Sequence, residues 1–170
     1  FEILQNADDL GATSLKFAVR RSGRGELLAA HNGDPVELPH IIAMTLAFIS
    51  SKRDDARSKG RFGIGLKTLN QIGSVISVHC PPYHFAVERG TLSDIEPIEK
   101  IRGLYDGSAG ETLISITLDG EFEIEDVEGW IREIDSSHLI FQDRLRSLSF
   151  VDARTGKQTW SAALHETSLP

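Results

Sequence analysis

Gly60-Arg61-Phe62-Gly63-Ile64-Gly65-Leu66-Lys67-Thr68 is the stretch on which the reading of this chain turns. Glycines at 60, 63 and 65 let backbone amides approach a ligand with no β-carbon in the way, and they accept positive φ. A helix-like run follows at Leu66, Leu69 and Ile72, whose N-terminal amides and dipole would face an anion. Together these features read as a polyphosphate cradle; read alone, they also fit an ordinary glycine turn ahead of a helix. Two better-known glycine loops do not fit. The Walker A pattern places Lys directly after its second glycine, and here Leu66 stands between Gly65 and Lys67. The Rossmann order G-x-G-x-x-G is reversed to G-x-x-G-x-G, and no strand-like run leads into it. Instead the loop is preceded by Lys52, Arg53, Asp54, Asp55, Arg57 and Lys59, a solvated segment of mixed sign.

With 170 residues, 40% hydrophobic and 25% charged, the chain fits one domain with a real core. A net charge of −7 argues against wholesale binding to nucleic acid or an acidic membrane. The single cysteine, Cys80, excludes an internal disulfide framework and suits a reducing, cytoplasmic compartment. The longest apolar run, 41–49, is far short of the about 20 residues that span a bilayer. The chain opens at Phe1, already inside a helical pattern, which reads as one domain, 1–170, taken from a longer polypeptide whose other domains would be its partners.

Residues 1–10 place Ile3, Ala7 and Leu10 at helical spacing, with Gly11 as the stop. Glu2, Asn6 and Asp9 share a face beside that stripe, which reads either as an assembled site or as a solvated surface. The alternation over 14–21, the glycine turn at 22–25 and the run 26–31 predict a hairpin. A buried helix is expected over 40–50, and strands over 75–80 and 83–89 joined through Pro81-Pro82. Residues 90–110 read as loop, 112–118 as a strand, and 125–134 as an acidic amphipathic helix. A second short helix is expected around 138–144, then a final hairpin over 148–160.

These pieces resemble the GHKL ATPases, whose nucleotide site is the Bergerat fold. The group includes gyrase B subunits, ninety-kilodalton heat-shock chaperones, histidine kinases and mismatch-repair ATPases. Glu2-Ile-Leu-Gln-Asn6-Ala-Asp-Asp9 is similar to the family's first motif. His31-Asn32-Gly33-Asp34-Pro35 sits where the second falls, and Ser50-Ser51-Lys52 with Gly60 to Gly65 matches the third and its lid. Gly110-Glu111-Thr112 opens a strand like the fourth. Leu139-Ile140-Phe141, Arg146 to Phe150 and Arg154-Thr155-Gly156-Lys157 resemble the ending of the sacsin N-terminal ATPase-like region. The resemblance implies an α/β two-layer sandwich, its mixed, mostly antiparallel sheet covered by helices on one face. ATP would bind between helix and lid.

It also implies roles. Asn6 would bind Mg²⁺ through its side-chain oxygen, and Glu2 would orient or deprotonate the attacking water. The loop Gly60, Arg61, Phe62, Gly63, Ile64, Gly65, Leu66 and Lys67 would hold the phosphates, with Ser51 and Lys52 in the lid. Asp9, His31, Asn32, Gly33 and Thr112 would line the base end of the pocket. One departure stands out: many members carry Asp, an acceptor for the adenine amino group, where this chain has His31. A neutral imidazole nitrogen or the Asn32 carbonyl could accept that bond, whereas a protonated His31 could not. Pro35 likewise replaces a usual glycine. Four readings follow: a Mg²⁺-dependent ATPase driving conformational change in a chaperone-like or defence-type protein, with a nucleotide-linked homodimer possible; a regulatory nucleotide-binding module; a histidine-kinase catalytic domain; and an interaction domain with a decayed site. Cys80, His79 and His84 read as core and loop rather than a zinc site, since zinc takes more ligands.

Overall fold

The computed structural model describes residues 2–42 and 72–164. Alternation of Leu15, Phe17 and Val19 gives β1 (Ser14–Arg20) one apolar face, and it pairs antiparallel with β2 (Glu26–His31), Leu15 opposite His31. Further strands follow in β3 (Gly73–Cys80), β4 (Tyr83–Glu88), β5 (Thr91–Asp94) and β8 (Thr112–Leu118). The last two are β9 (Ser147–Val151) and β10 (Gln158–Ala163). They form an eight-stranded sheet in the order β10-β9-β1-β2-β8-β3-β4-β5. Every pairing is antiparallel except β1 with β9, so the sheet is mixed as expected.

Two α-helices, α1 (Glu2–Asp9) and α2 (Ile124–Arg132), cover one face. Their Ile3, Leu4, Ala7, Ile124, Val127 and Ile131 join Leu15, Phe17, Ile114 and Ile116 in the main core. Fully burying a side chain such as Leu15 or Phe17 contributes roughly 1.5–3 kcal/mol each. Helix α1 stops where Gly11 turns left-handed at φ 74°. There the Gly11 and Ala12 amides donate to the carbonyls of Asp8 and Ala7, at 2.8 and 2.9 Å, closing a Schellman cap. Helix α2 begins where Asp126 accepts the Glu123 amide at 3.1 Å. Arg21, just past β1, donates to Glu125 and, at 3.0 Å, to Glu128, tying the helix to the strand end.

The opposite face is not bare. The stretch expected as loop forms β5 on the sheet edge and a small hairpin, β6 (Lys100–Ile101) with β7 (Tyr105–Asp106). Leu104 and Tyr105 of that hairpin pack with Ala18, Leu28, Ala30, Leu113 and Val151 in a second core. The short helix expected over 138–144 is instead a 3₁₀ turn, Ser136–Leu139. Asp135 accepts the Ser137 amide at 2.8 Å and starts the turn earlier. Of the helix expected over 40–50, only its opening at 38–42 is described.

Candidate functional site

Leu4 and Asp8 stand one helical turn apart on the buried stripe of α1, at 2% and 6% exposure. Asp8 accepts the backbone amides of Asp143, Arg144 and Leu145 at 3.0, 2.7 and 2.7 Å. Arg146 in turn donates to the carbonyls of Gln142, Asp143 and Leu145. Burial pushes the Asp8 carboxyl up, but the three amides and the Arg146 charge outweigh it and leave it below the usual range. The motif's first aspartate is therefore an anchor for the loop at 142–146, a role the sequence reading missed. The signal was its i+4 relation to Leu4. Asp9, the neighbour placed in the pocket by resemblance, is exposed and accepts from Gln5 Nε2 at 3.0 Å.

Asn6 is buried on the same helix, and among the described residues its side-chain amide has no hydrogen-bond partner. Beyond the helix, the loop after β2 docks on the Schellman cap. The Asp34 amide donates to the Leu10 carbonyl at 2.7 Å, and a β-carbon on Gly33 would sit 2.7 Å from that same oxygen. Only glycine fits there. Asn32 stitches this loop to β1: its Oδ1 accepts the Thr13 and Ser14 amides at 3.0 and 2.9 Å, and its Nδ2 donates to Thr13 Oγ1 at 2.9 Å.

At the ends of β2 and β8, His31 and Thr112 are directly opposed. His31 is 2% exposed; burial, partly offset by the Glu111 charge, lowers its imidazole pKa to about 4, so the ring is neutral. Its Nδ1 accepts the Gly33 amide at 3.2 Å, which leaves the ring proton on Nε2. Thr112 is fully buried and its Oγ1 has no partner, one of two such side-chain atoms among the described residues; Gln142 Oε1 is the other. The expectation that His31 or Asn32 offers a free acceptor is corrected here. The imidazole lone pair goes to Gly33 and the Asn32 carbonyl to two amides.

Glu2 is half-buried at the edge of a cavity of about 470 Å³ between α1, α2 and the sheet, whose walls include Ile3, Leu4, Phe17, Leu27 and Trp130. A larger cavity, about 850 Å³, lies where β1, β9 and β10 meet α2 and is lined by Arg20, Arg21, Arg132, Arg154, Phe150 and Trp160. Three of its arginines are already paired, Arg20 with Glu26 and Arg21 and Arg132 with Glu128. Size alone does not make it the site. The expected nucleotide contacts Ser51, Lys52, Gly60, Arg61, Phe62, Gly63, Ile64, Gly65, Leu66 and Lys67 lie outside the described residues. In the histidine–cysteine group, Cys80 Sγ accepts the Val36 amide at 3.1 Å and His79 Nδ1 accepts that of Ile98 at 3.2 Å.

No family model and no curated protein matches the chain. Among solved structures, it superposes on the topoisomerase IV ATP-binding domain of Francisella tularensis, determined in complex with a small-molecule inhibitor. The match covers 96% of this chain and 84% of that one, with a TM-score of 0.55 and 14% identity. Similarity at that level carries the architecture, and the chain has the Bergerat fold of that ATP-binding domain.

Proposed function

We propose that this chain is a GHKL-type module that binds a nucleoside triphosphate with Mg²⁺ and hydrolyses it slowly, ATP being the nucleotide the resemblance brings. The observation that carries the reading is the fully buried Thr112 hydroxyl, which has no partner among the described residues, with Asn6 buried on α1 close to the same corner. Buried polar groups are ordinarily satisfied, and an orphan costs about 1–3 kcal/mol. The Gly33 loop links the end of α1 to the end of β2, so Asn6 and Thr112 lie around one corner of the fold.

In this reading Asn6 holds Mg²⁺, which takes few protein ligands beside phosphate oxygens and water. The bound ion neutralises charge on the phosphates. Glu2, one turn before Asn6, orients the attacking water, a contribution of typically ~10²–10⁴-fold. Amides of Gly63 and Gly65 hold the phosphates, with Lys67 and Arg61 adding charge, and the module drives conformational change in a larger chaperone-like protein. Calorimetric titration with ATP, ADP and GTP, with and without Mg²⁺, tests this. Nucleotide binding that weakens in Asn6→Ala only when Mg²⁺ is present supports it; no binding by the folded chain sinks it.

A second reading, a regulatory module without hydrolysis, is favoured by one observation: Glu2 borders an apolar cavity and has no hydrogen-bonded partner among the described residues to orient it. Single-turnover hydrolysis separates the two. Turnover unchanged in Glu2→Ala would show that Glu2 is not the base.

A further inference from the structure

We infer that the base end of this site selects a purine carrying a carbonyl at position 6, guanine or hypoxanthine, over adenine. The inference rests on the nucleotide reading above, with His31 and Thr112 at the base.

Three groups near the ends of β2 and β8 could meet a base, and their hydrogen-bonding capacity can be counted. Asn32 Oδ1 accepts two amides and Asn32 Nδ2 donates to Thr13, so that side chain has little left to offer. His31 Nδ1 accepts the Gly33 amide, so a neutral ring presents Nε2–H and no acceptor. Among the described residues Thr112 Oγ1 has no partner, and a hydroxyl can turn to donate or to accept. One fixed donor beside one adaptable group is the pattern a ligand must match.

Guanine and hypoxanthine present an O6 acceptor next to an N1–H donor, while adenine presents an N6 amino donor next to an N1 acceptor. With a 6-oxo purine, His31 Nε2–H donates to O6 and Thr112 Oγ1 accepts from N1–H. Adenine sets its amino group against the Nε2–H, donor against donor. Thr112 can still turn to donate to adenine N1, so discrimination falls on His31 alone. The ring cannot simply flip to accept, because that would strip the Gly33 amide of its partner. Neighbouring backbone fixes that amide, since Gly33 is pressed against the Leu10 carbonyl.

Competition binding of GTP, ITP and ATP to the whole chain in the presence of Mg²⁺ tests the inference. ITP against ATP isolates position 6. The expected result is ITP and GTP binding roughly tenfold or more tighter than ATP, the usual cost of one mismatched buried donor. His31→Asp, which supplies an acceptor and no donor, should reverse the order. Should that variant fail to fold, Thr112→Val should weaken all three nucleotides by similar factors and keep their order. A collapsed order in Thr112→Val would move the discrimination to Thr112 and overturn the assignment to His31. ATP binding as tightly as ITP to the unaltered chain also overturns the inference while leaving the nucleotide reading in place. Absence of binding by every triphosphate removes the nucleotide reading itself.

Discussion

Asp8 and Arg146 hold the same short loop, Asp8 by its amides and Arg146, the loop's own last residue, by its carbonyls. Replacing Asp8 by Ala orphans three backbone amides together, and Leu145, one of them, is fully buried. A loss of roughly 3 kcal/mol or more is expected, read as a lower urea midpoint with unchanged m-value. Arg146→Ala should cost less, because two of its three carbonyl partners belong to Gln142 and Asp143, residues that keep access to water. Less than additive loss in the double variant would show that the two residues hold one structure. The Asp8 carboxyl is depressed in the folded chain, so its contribution is complete above its unfolded value of 3.8 and fades as pH falls through the folded one. Acid unfolding of Asp8→Asn should therefore be shallower below about pH 4.

Elements were legible where their signal was local. Residues 14–20 alternate but for Ala18, and the structure makes them a strand in the register that puts Leu15 and Phe17 in the core. Strand β5, Thr-Leu-Ser-Asp, has a single apolar residue, and all four of its residues are exposed. It is a strand only because β4 offers it an edge, and no periodicity announces that. The hairpin over 100–106 has strands of two residues each and owes its place to Leu104 and Tyr105 buried on the sheet's back face. At the proposed site, Asn6 and Thr112 were readable as residues of the motifs that carry the resemblance. The engagement of His31 with Gly33 was not, since it depends on how the loop docks on α1. One tertiary contact lends itself to test. Gly103 of the hairpin and Gly156 of the β9–β10 turn both have positive φ, and a β-carbon on Gly103 would sit 2.1 Å from the Gly156 carbonyl. Gly103→Ala should force the hairpin off the β9–β10 turn, seen as faster amide exchange over 98–106 with the helix-covered face still protected. Unchanged exchange there would mean the two turns do not hold each other.

Across the whole molecule the two cores carry a common liability in buried histidines. His31 lies on the helix-covered face, and His79 lies under the back-face layer, where Tyr105 Oη donates to its carbonyl at 3.4 Å. Burial lowers His31 to about 4, and burial with the neighbouring His84 charge lowers His79 to about 4. Unfolding returns each to an ordinary value near 6.5. Between those values the unfolded chain binds protons that the folded chain refuses, so stability is full above about 6.5 and drains as pH falls toward 4. Each histidine contributes at most about 1.4 kcal/mol per pH unit within that window. Chemical denaturation at pH 7, 6 and 5 should show a falling midpoint, and His79→Gln should roughly halve the slope by removing one of the two protons. A midpoint constant across that range would mean that neither ring is held neutral. The same titration bears on the proposed nucleotide site. With His31 neutral throughout pH 6 to 8, the order of affinities among GTP, ITP and ATP should not change over that interval, even while overall stability begins to fall at its lower end. A reversal toward ATP as pH rises from 6 to 8 would instead mean that His31 loses a proton there. That outcome would contradict both the buried neutral ring and the base preference built on it.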